Sequence, residues 1–262
     1  MRLIDNAELR SLQMEILDDV HRFCQTAGIR YSLTYGTLLG AVRHKGYIPW
    51  DDDIDLMMPR PDYERFLKEY SSPKNEVVVL KGIDSCVEMF SKVCRKGTRM
   101  VDKKLGRDQW GVNIDIFPVD GCPADETHRA LIDEKISLLA KICPRYKVVN
   151  RQKSAWFLKY LAKRCLYFYP HSVLHLKEEI DRLAACDPAT MPYAGVLMEG
   201  CDSFLTDSSV YADYILLPFE DKTYCAVREF DRLLTTKYGD YMTPPPPEGR
   251  VSLHQYDVYI ED

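Results

Sequence analysis

Four aspartates crowd one short stretch of this chain, Ile48-Pro-Trp-Asp-Asp-Asp-Ile-Asp-Leu56. Along a strand beginning at Asp53, alternation sends Ile54, Leu56 and Met58 to one face and Asp53, Asp55 and Met57 to the other. Carboxylates two apart on a strand, roughly 6.5–7 Å between their Cα atoms, can converge on one hard divalent cation or straddle two. Without a cation they repel each other. An EF-hand loop does not fit, because its sixth and twelfth positions, counted from Asp51, are Leu56 and Asp62 rather than Gly and Glu. Ahead of the aspartates, Tyr35-Gly36-Thr37 lies between two apolar runs. A turn that opens a helix there presents free backbone N–H groups, which together with the Thr37 hydroxyl can hold a phosphate near the metal. Arg43, His44 and Lys45 follow, cations suited to a diphosphate, with arginine able to bind it bidentately.

A second acidic position stands alone. In Trp110-Gly-Val-Asn-Ile-Asp-Ile-Phe-Pro-Val-Asp120, alternation puts Val112, Ile114 and Ile116 on one face and Asn113, Asp115 and Phe117 on the other. An aspartate inside such a strand is costly to bury without a partner, and a divalent cation would be one. Asp120, beyond Pro118, reads as a turn residue. Trp110 and Tyr47 are candidates for packing a quaternary ammonium by cation–π contact.

The elements that position these residues follow from periodicity. Leu9, Leu12, Ile16, Val20 and Phe23 predict an amphipathic helix from about Asp5 to Ala27, stopped at Gly28. Ile29–Tyr35 reads as a strand, Leu38–Val42 as a short helix, and Pro59-Arg60-Pro61 opens another helix with Tyr63, Phe66, Leu67 and Tyr70 on its apolar face. Glu76–Leu80 and Val87–Val93 read as a strand meander. A helix through Leu131, Leu138, Leu139 and Ile142 follows, then one capped by Ser172, a loop from Pro188 to Ser209, and a strand-to-helix segment over Phe219–Tyr241.

The stretch from Gly36 to Asp55 closely resembles the signature of the LicD family, bacterial phosphocholine transferases related to fukutin and fukutin-related protein. That resemblance implies an α+β nucleotidyltransferase fold, a small mixed β-sheet flanked by helices. Carried over by position, Gly36 and Thr37 are the phosphate turn, Asp53 and Asp55 the metal ligands and catalytic pair, and Asp115 the third carboxylate. Lys92 resembles the family's strand-end lysine. Asp51 and Asp52 assist, and the Tyr-Gly-Asp-Tyr segment ending at Tyr241 resembles the family's closing segment. The implied donor is CDP-choline or a related CDP-alcohol, the acceptor a surface glycan hydroxyl that can be lipid-linked, and the cofactor Mg²⁺ or Mn²⁺. The same carboxylates could instead serve nucleotidyl transfer with pyrophosphate release, and a non-catalytic metal- and glycan-binding protein is a third reading.

Composition bounds these readings. With 262 residues and 46% hydrophobic content the chain can bury a sizeable core. It reads as a single domain: a catalytic core over about 1–120, a basic helical region over about 123–187 and a closing segment over about 210–262. Nine cysteines, an odd number with no C-x-x-C pair, indicate reduced thiols rather than a disulfide framework or zinc site. A net charge of −5 argues against nucleic acid as a partner. The opening residues lack a signal-peptide pattern and no apolar run is long enough to span a membrane, so a cytoplasmic protein is expected. Between Lys135 and Lys177 ten Lys and Arg occur without one Asp or Glu. Within that run, residues 153–169 form an amphipathic wheel with aromatics among the cations, a pattern that fits peripheral contact with the inner face of a membrane.

Overall fold

The computed structural model describes residues 1–83, 86–103, 107–143, 171–200, 205–251 and 256–261. It is a mixed α/β protein with six α-helices among the described residues. The basic stretch 153–169 lies outside them.

Helix α1 (Asn6–Ala27) forms where the apolar period required it. Asp5 caps it by accepting from the Glu8 N–H, and Gly28, at φ +64°, ends it in the left-handed conformation. Its buried face, Leu9, Leu12, Gln13, Ile16, Leu17, Val20 and Cys24, packs into the main core. The expected Ile29–Tyr35 strand contracts to β2 (Ser32–Leu33), because Tyr35 already begins helix α2 (Tyr35–Arg43). Strand β3 (Asp55–Pro59) leads directly into α3 (Arg60–Glu69), with Pro61 in its first turn.

The central strand is β8 (Asn113–Cys122), paired parallel to β3 with Asp55 opposite Asp115. Its first half pairs antiparallel with β5 (Ser91–Arg95), which continues to β4 (Asn75–Val79). Its second half pairs with β9 (Tyr193–Gly195), and β10 (Thr206–Asp207) follows, so the expected Pro188–Ser209 loop contains two strands. Residues 87–90 do not join the meander. Pro118 is tolerated in this central strand because it falls where the β5 pairing has ended at Ile116 and the β9 pairing, beginning at Asp120, has not started.

Asp120 is therefore not a turn residue. It is fully buried in β8, and Arg60 grips it bidentately, Nε to Oδ1 at 2.6 Å and Nη2 to Oδ2 at 2.8 Å. Burial pushes the Asp120 carboxyl up, to about 6, with the Arg60 guanidinium pulling against it. Burial likewise opposes the Arg60 charge, but Asp120 and Asp181 outweigh it and raise that group further. At neutral pH both partners carry their charges.

Helices α4 (Glu126–Ile142) and α5 (Val173–Ala184) pack on each other in a second apolar cluster with Leu197 and Met198. Ser172 caps α5 by accepting from the His175 N–H. On α4 the inward residues are Ile132, Leu139 and Ile142, while Leu131 faces out. A separate antiparallel sheet joins β1 (Arg2–Ile4), β13 (Tyr256–Ile260), β6 (Thr98–Asp102) and β7 (Arg107–Gln109). The hairpin β11–β12 (Tyr214–Phe219, Lys222–Val227) precedes α6 (Phe230–Tyr238). No helix among the described residues is long and apolar enough to cross a membrane. The cysteines among them are free thiols, five of the seven buried.

Candidate active site

Parallel pairing in register sets Asp55 and Asp115 side by side on neighbouring strands, about 4.8 Å apart along the hydrogen-bonding direction. The backbone around Asp55 is tied down from two elements. Its N–H donates to Thr37 Oγ1 at 2.9 Å and its carbonyl accepts from the Thr34 N–H at 3.0 Å, so the opening of α2 is fastened to the head of β3. The Asp115 N–H donates to the Ile54 carbonyl at 2.8 Å. Thr37 thus positions Asp55 with the hydroxyl the sequence reading assigns to phosphate. Buried Thr34 leaves its own hydroxyl without a partner among the described residues.

Asp53 lies just before β3 rather than in it, within an aspartate loop where one oxygen from each of Asp51, Asp52 and Asp53 lies within 4.8 Å of the others. Helix α1 holds that loop. Arg10 donates to the Asp51 carbonyl at 2.6 Å, and Gln13 to the Asp52 carbonyl at 2.8 Å. Tyr47, a candidate for ammonium packing by sequence, is part of this support instead. It is buried, its hydroxyl donates to Gln13 and its ring face is covered by Arg10 at 4.6 Å. Gly36 is needed for close approach, because a Cβ there would stand 2.5 Å from Asp51 Oδ2. The Asp51 carboxylate therefore rests against the first turn of α2.

Asp55 bears the electrostatic consequence. Burial first, then the charges of Asp53, Asp115 and Asp51, hold its carboxyl well above the usual carboxylate range, with Lys92 opposing them. A set of converging carboxylate oxygens with this much mutual repulsion suits a hard divalent cation of the Mg²⁺ or Mn²⁺ type. Lys92, on β5, is not a solvent-facing lysine. It forms an ion pair with Asp115 and donates to Asn113 Oδ1 at 3.1 Å. Burial works against its charge, but Asp115 more than compensates and raises it.

The basic residues after α2 divide. Arg43 donates to the Tyr241 carbonyl at 2.7 Å and from Nε to His44 Nε2 at 3.0 Å. Its charge is opposed by burial and then by neighbouring Arg250. Burial and Arg43 lower His44, which accepts that hydrogen bond as a neutral imidazole. Lys45, at φ +62°, turns back to donate to the Val42 carbonyl. Trp110 is half-buried against the main core at the approach to β8.

Several residues around the site carry no legible signal in the sequence. Arg10 and Gln13 read as the polar side of a scaffold helix, and Arg250 as part of a proline-rich tail; it lies over the Trp50 ring at 5.6 Å. Tyr238 reads as an apolar helix residue. Its phenol is pushed above its ordinary range, first by burial and then by Asp55, Asp51, Asp53 and Glu199.

Carboxylates on paired strands, beside the opening of a helix and with half-buried cations nearby, are an arrangement suited to phosphate chemistry with divalent metal. Sequence comparison finds transferases among the chain's relatives. A family model described as the LicD/FKTN/FKRP nucleotidyltransferase domain matches residues 28–135. The chain is 28% identical to the lipopolysaccharide cholinephosphotransferase LicD of Haemophilus influenzae, over 99% of its own length and 100% of that protein. A stretch of 32 residues, 12% of this chain and 6% of the relative, is 59% identical to the human ribitol 5-phosphate transferase FKRP. Residues 28–135 thus match a LicD-type domain, and the chain is similar to LicD along its length and to FKRP over one short stretch.

Proposed function

We propose that the protein transfers a phosphoalcohol group, phosphocholine from CDP-choline, to a hydroxyl of a cell-surface glycan of lipopolysaccharide, teichoic acid or capsule type, on a nucleotidyltransferase-type core. The observation that carries this reading is the in-register pairing of Asp55 with Asp115 beside the aspartate loop and the opening of α2. The full-length similarity to a cholinephosphotransferase supports the choice of donor.

Asp53, Asp55 and Asp115, with Asp51 and Asp52 adjacent, would hold Mg²⁺. Bound there, the cation supplies charge neutralisation for a diphosphate and for the transferring phosphoryl group. Lys92, paired with Asp115, and Arg43 would add positive charge for the donor's diphosphate. The acceptor hydroxyl attacks the phosphorus on the choline side. A new P–O bond forms to the glycan, the bridging P–O bond breaks, and CMP leaves with the bridging oxygen. Asp115, half-buried between β3 and β5 and ion-paired with Lys92, would take the hydroxyl proton and pass it to solvent. The reaction belongs on the cytoplasmic side of a membrane, where nucleotide-activated donors are made, and the acceptor can be lipid-linked.

The test is ³¹P NMR of the purified protein with Mg²⁺ and, in separate tubes, CDP-choline, CDP-ethanolamine, CDP-ribitol, CDP-glycerol and CTP, beside an Asp53→Asn control. CMP should accumulate from CDP-choline, slowly with water as the acceptor, and the control should lose at least about 100-fold in rate, about 2.7 kcal/mol of transition-state stabilisation. Pyrophosphate from CTP with no CMP from any CDP-alcohol would replace this reading with nucleotidyl transfer.

A further inference from the structure

Tyr35 opens α2 at φ +45°, a region that a bulky aromatic residue rarely enters. Backbone strain of this kind persists where the surroundings over-determine it. Here it fixes where the ring stands. The Tyr35 ring meets Phe117 edge-on, with centroids 5.0 Å apart and planes at 68°. Phe117 follows Asp115 by two residues on the same face of β8, so the Tyr35 ring lies alongside the carboxylate row. Phe90 extends the aromatic wall, 4.4 Å from Phe117.

The hydroxyl of Tyr35 donates to Glu199 Oε2 at 2.6 Å. Glu199 ends the short 3₁₀ turn Leu197–Glu199 that follows β9, and it is open to solvent. The face of the same ring carries the ammonium of Lys237, 5.4 Å from the centroid. A cation therefore already rests at this place, with an aromatic face beneath it and a carboxylate tethered to the ring. The phosphoryl-transfer steps described above use none of these three residues.

We propose that Tyr35 and Glu199, backed by Phe117, form the subsite for the quaternary ammonium of the transferred alcohol, and that Lys237 is the cation it displaces. This rests on the phosphoalcohol-transfer reading and gives that reading its donor specificity. A trimethylammonium group has no N–H to donate, so ring faces and a nearby negative charge are the means of recognising it. A neutral polyol on the same phosphate gains nothing from either. The two carbons between choline's ammonium and its phosphate ester oxygen match a cation site next to the aspartates rather than one across the protein. Of the aromatics favoured by sequence for this task, Tyr47 is excluded by its covered, buried ring.

The experiment compares CDP-choline with CDP-glycerol, by calorimetric affinity in the presence of Mg²⁺ and by CMP release, on the full chain and on Glu199→Gln and Lys237→Met variants. In the wild type, choline should be preferred. Glu199→Gln should reduce the choline-to-glycerol affinity ratio about tenfold, and Lys237→Met, by removing the competing ammonium, should raise it. Opposite movements of one ratio are not what misfolding produces, and thermal melts check the fold independently. Ratios within twofold of wild type in both variants overturn the subsite while leaving transfer intact. A wild-type protein that neither binds these donors nor releases CMP overturns the transfer reading, and the subsite with it.

Discussion

Replacing Lys177 by methionine tests whether a single buried ammonium holds the approach to the active site. Lys177, on α5, has no exposed surface, and its Nζ donates to the carbonyls of Leu80, Ile83 and Glu88 at 2.9, 2.8 and 3.0 Å. Each hydrogen bond from a charged donor is worth about 1.5–3 kcal/mol net. Against their sum stands the cost of burying the ammonium, several kcal/mol. Methionine keeps the stem's bulk and relieves that cost, but it leaves three carbonyls that each lose about 1–3 kcal/mol if water does not reach them. Balanced together, these predict a net loss of about 2–5 kcal/mol. At about 2–4 °C per kcal/mol for a chain of this size, the melting temperature should fall by about 4–20 °C. The damage should be local first, because the three carbonyls lie in the connection that leads to Phe90 and to β5 with Lys92. Thermal unfolding followed by circular dichroism gives the first number, and hydrogen exchange of peptides covering residues 80–90 gives the second. A variant that melts within 1 °C of wild type and exchanges at the same rate there would refute the reasoning.

Two further outcomes follow from close contacts and burial. Gly36→Ala places a Cβ 2.5 Å from Asp51 Oδ2 and must displace that carboxylate, yet alanine favours a helix over glycine by about 1 kcal/mol; CMP release should fall more than about tenfold while the melting temperature holds or rises, and a variant with full activity would count against the placement of Asp51. Asp120 titrates in the folded protein at about 6, above the unfolded value of about 3.9, so its contribution to stability is complete below pH ~4 and is lost as the pH rises to 6. Relative to Asp120→Asn, wild type should therefore gain at most about 3 kcal/mol on acidification from pH 7 to 4 in urea unfolding, and a flat difference would show that Arg60 keeps the carboxyl ionised throughout.

The parts of this site that could be read from sequence are those in which neighbours along the chain share the work. Period-two spacing put Asp115 and Phe117 on one face of an apolar strand, and the structure keeps them there. The register that sets Asp55 against Asp115 was not readable from spacing, because parallel pairing joins segments far apart in sequence. The same holds for Arg10 and Gln13, whose task is to grip carbonyls of a distant loop. Asp120 was misread because proline ordinarily ends a central strand, and only the handover of β8 from β5 to β9 makes Pro118 harmless. Lys177 counted as one more cation of a basic run. Its burial depends on three carbonyls nearly a hundred positions away, which no local pattern records.

The join of β3 to β8 also sets the order in which this molecule can come into being. The two strands pair only after the intervening α3 and β4–β7 have been made, so a long loop must close before the carboxylates meet. Loop closure is paid in entropy before any contact repays it, and topologies built on distant parallel pairs fold slowly for that reason. During that interval the apolar faces of β3 and β8 have no cover, and the chain is most vulnerable to association with its own copies. Substitutions that weaken this seam should therefore appear as poor recovery of folded protein before they appear as lowered activity.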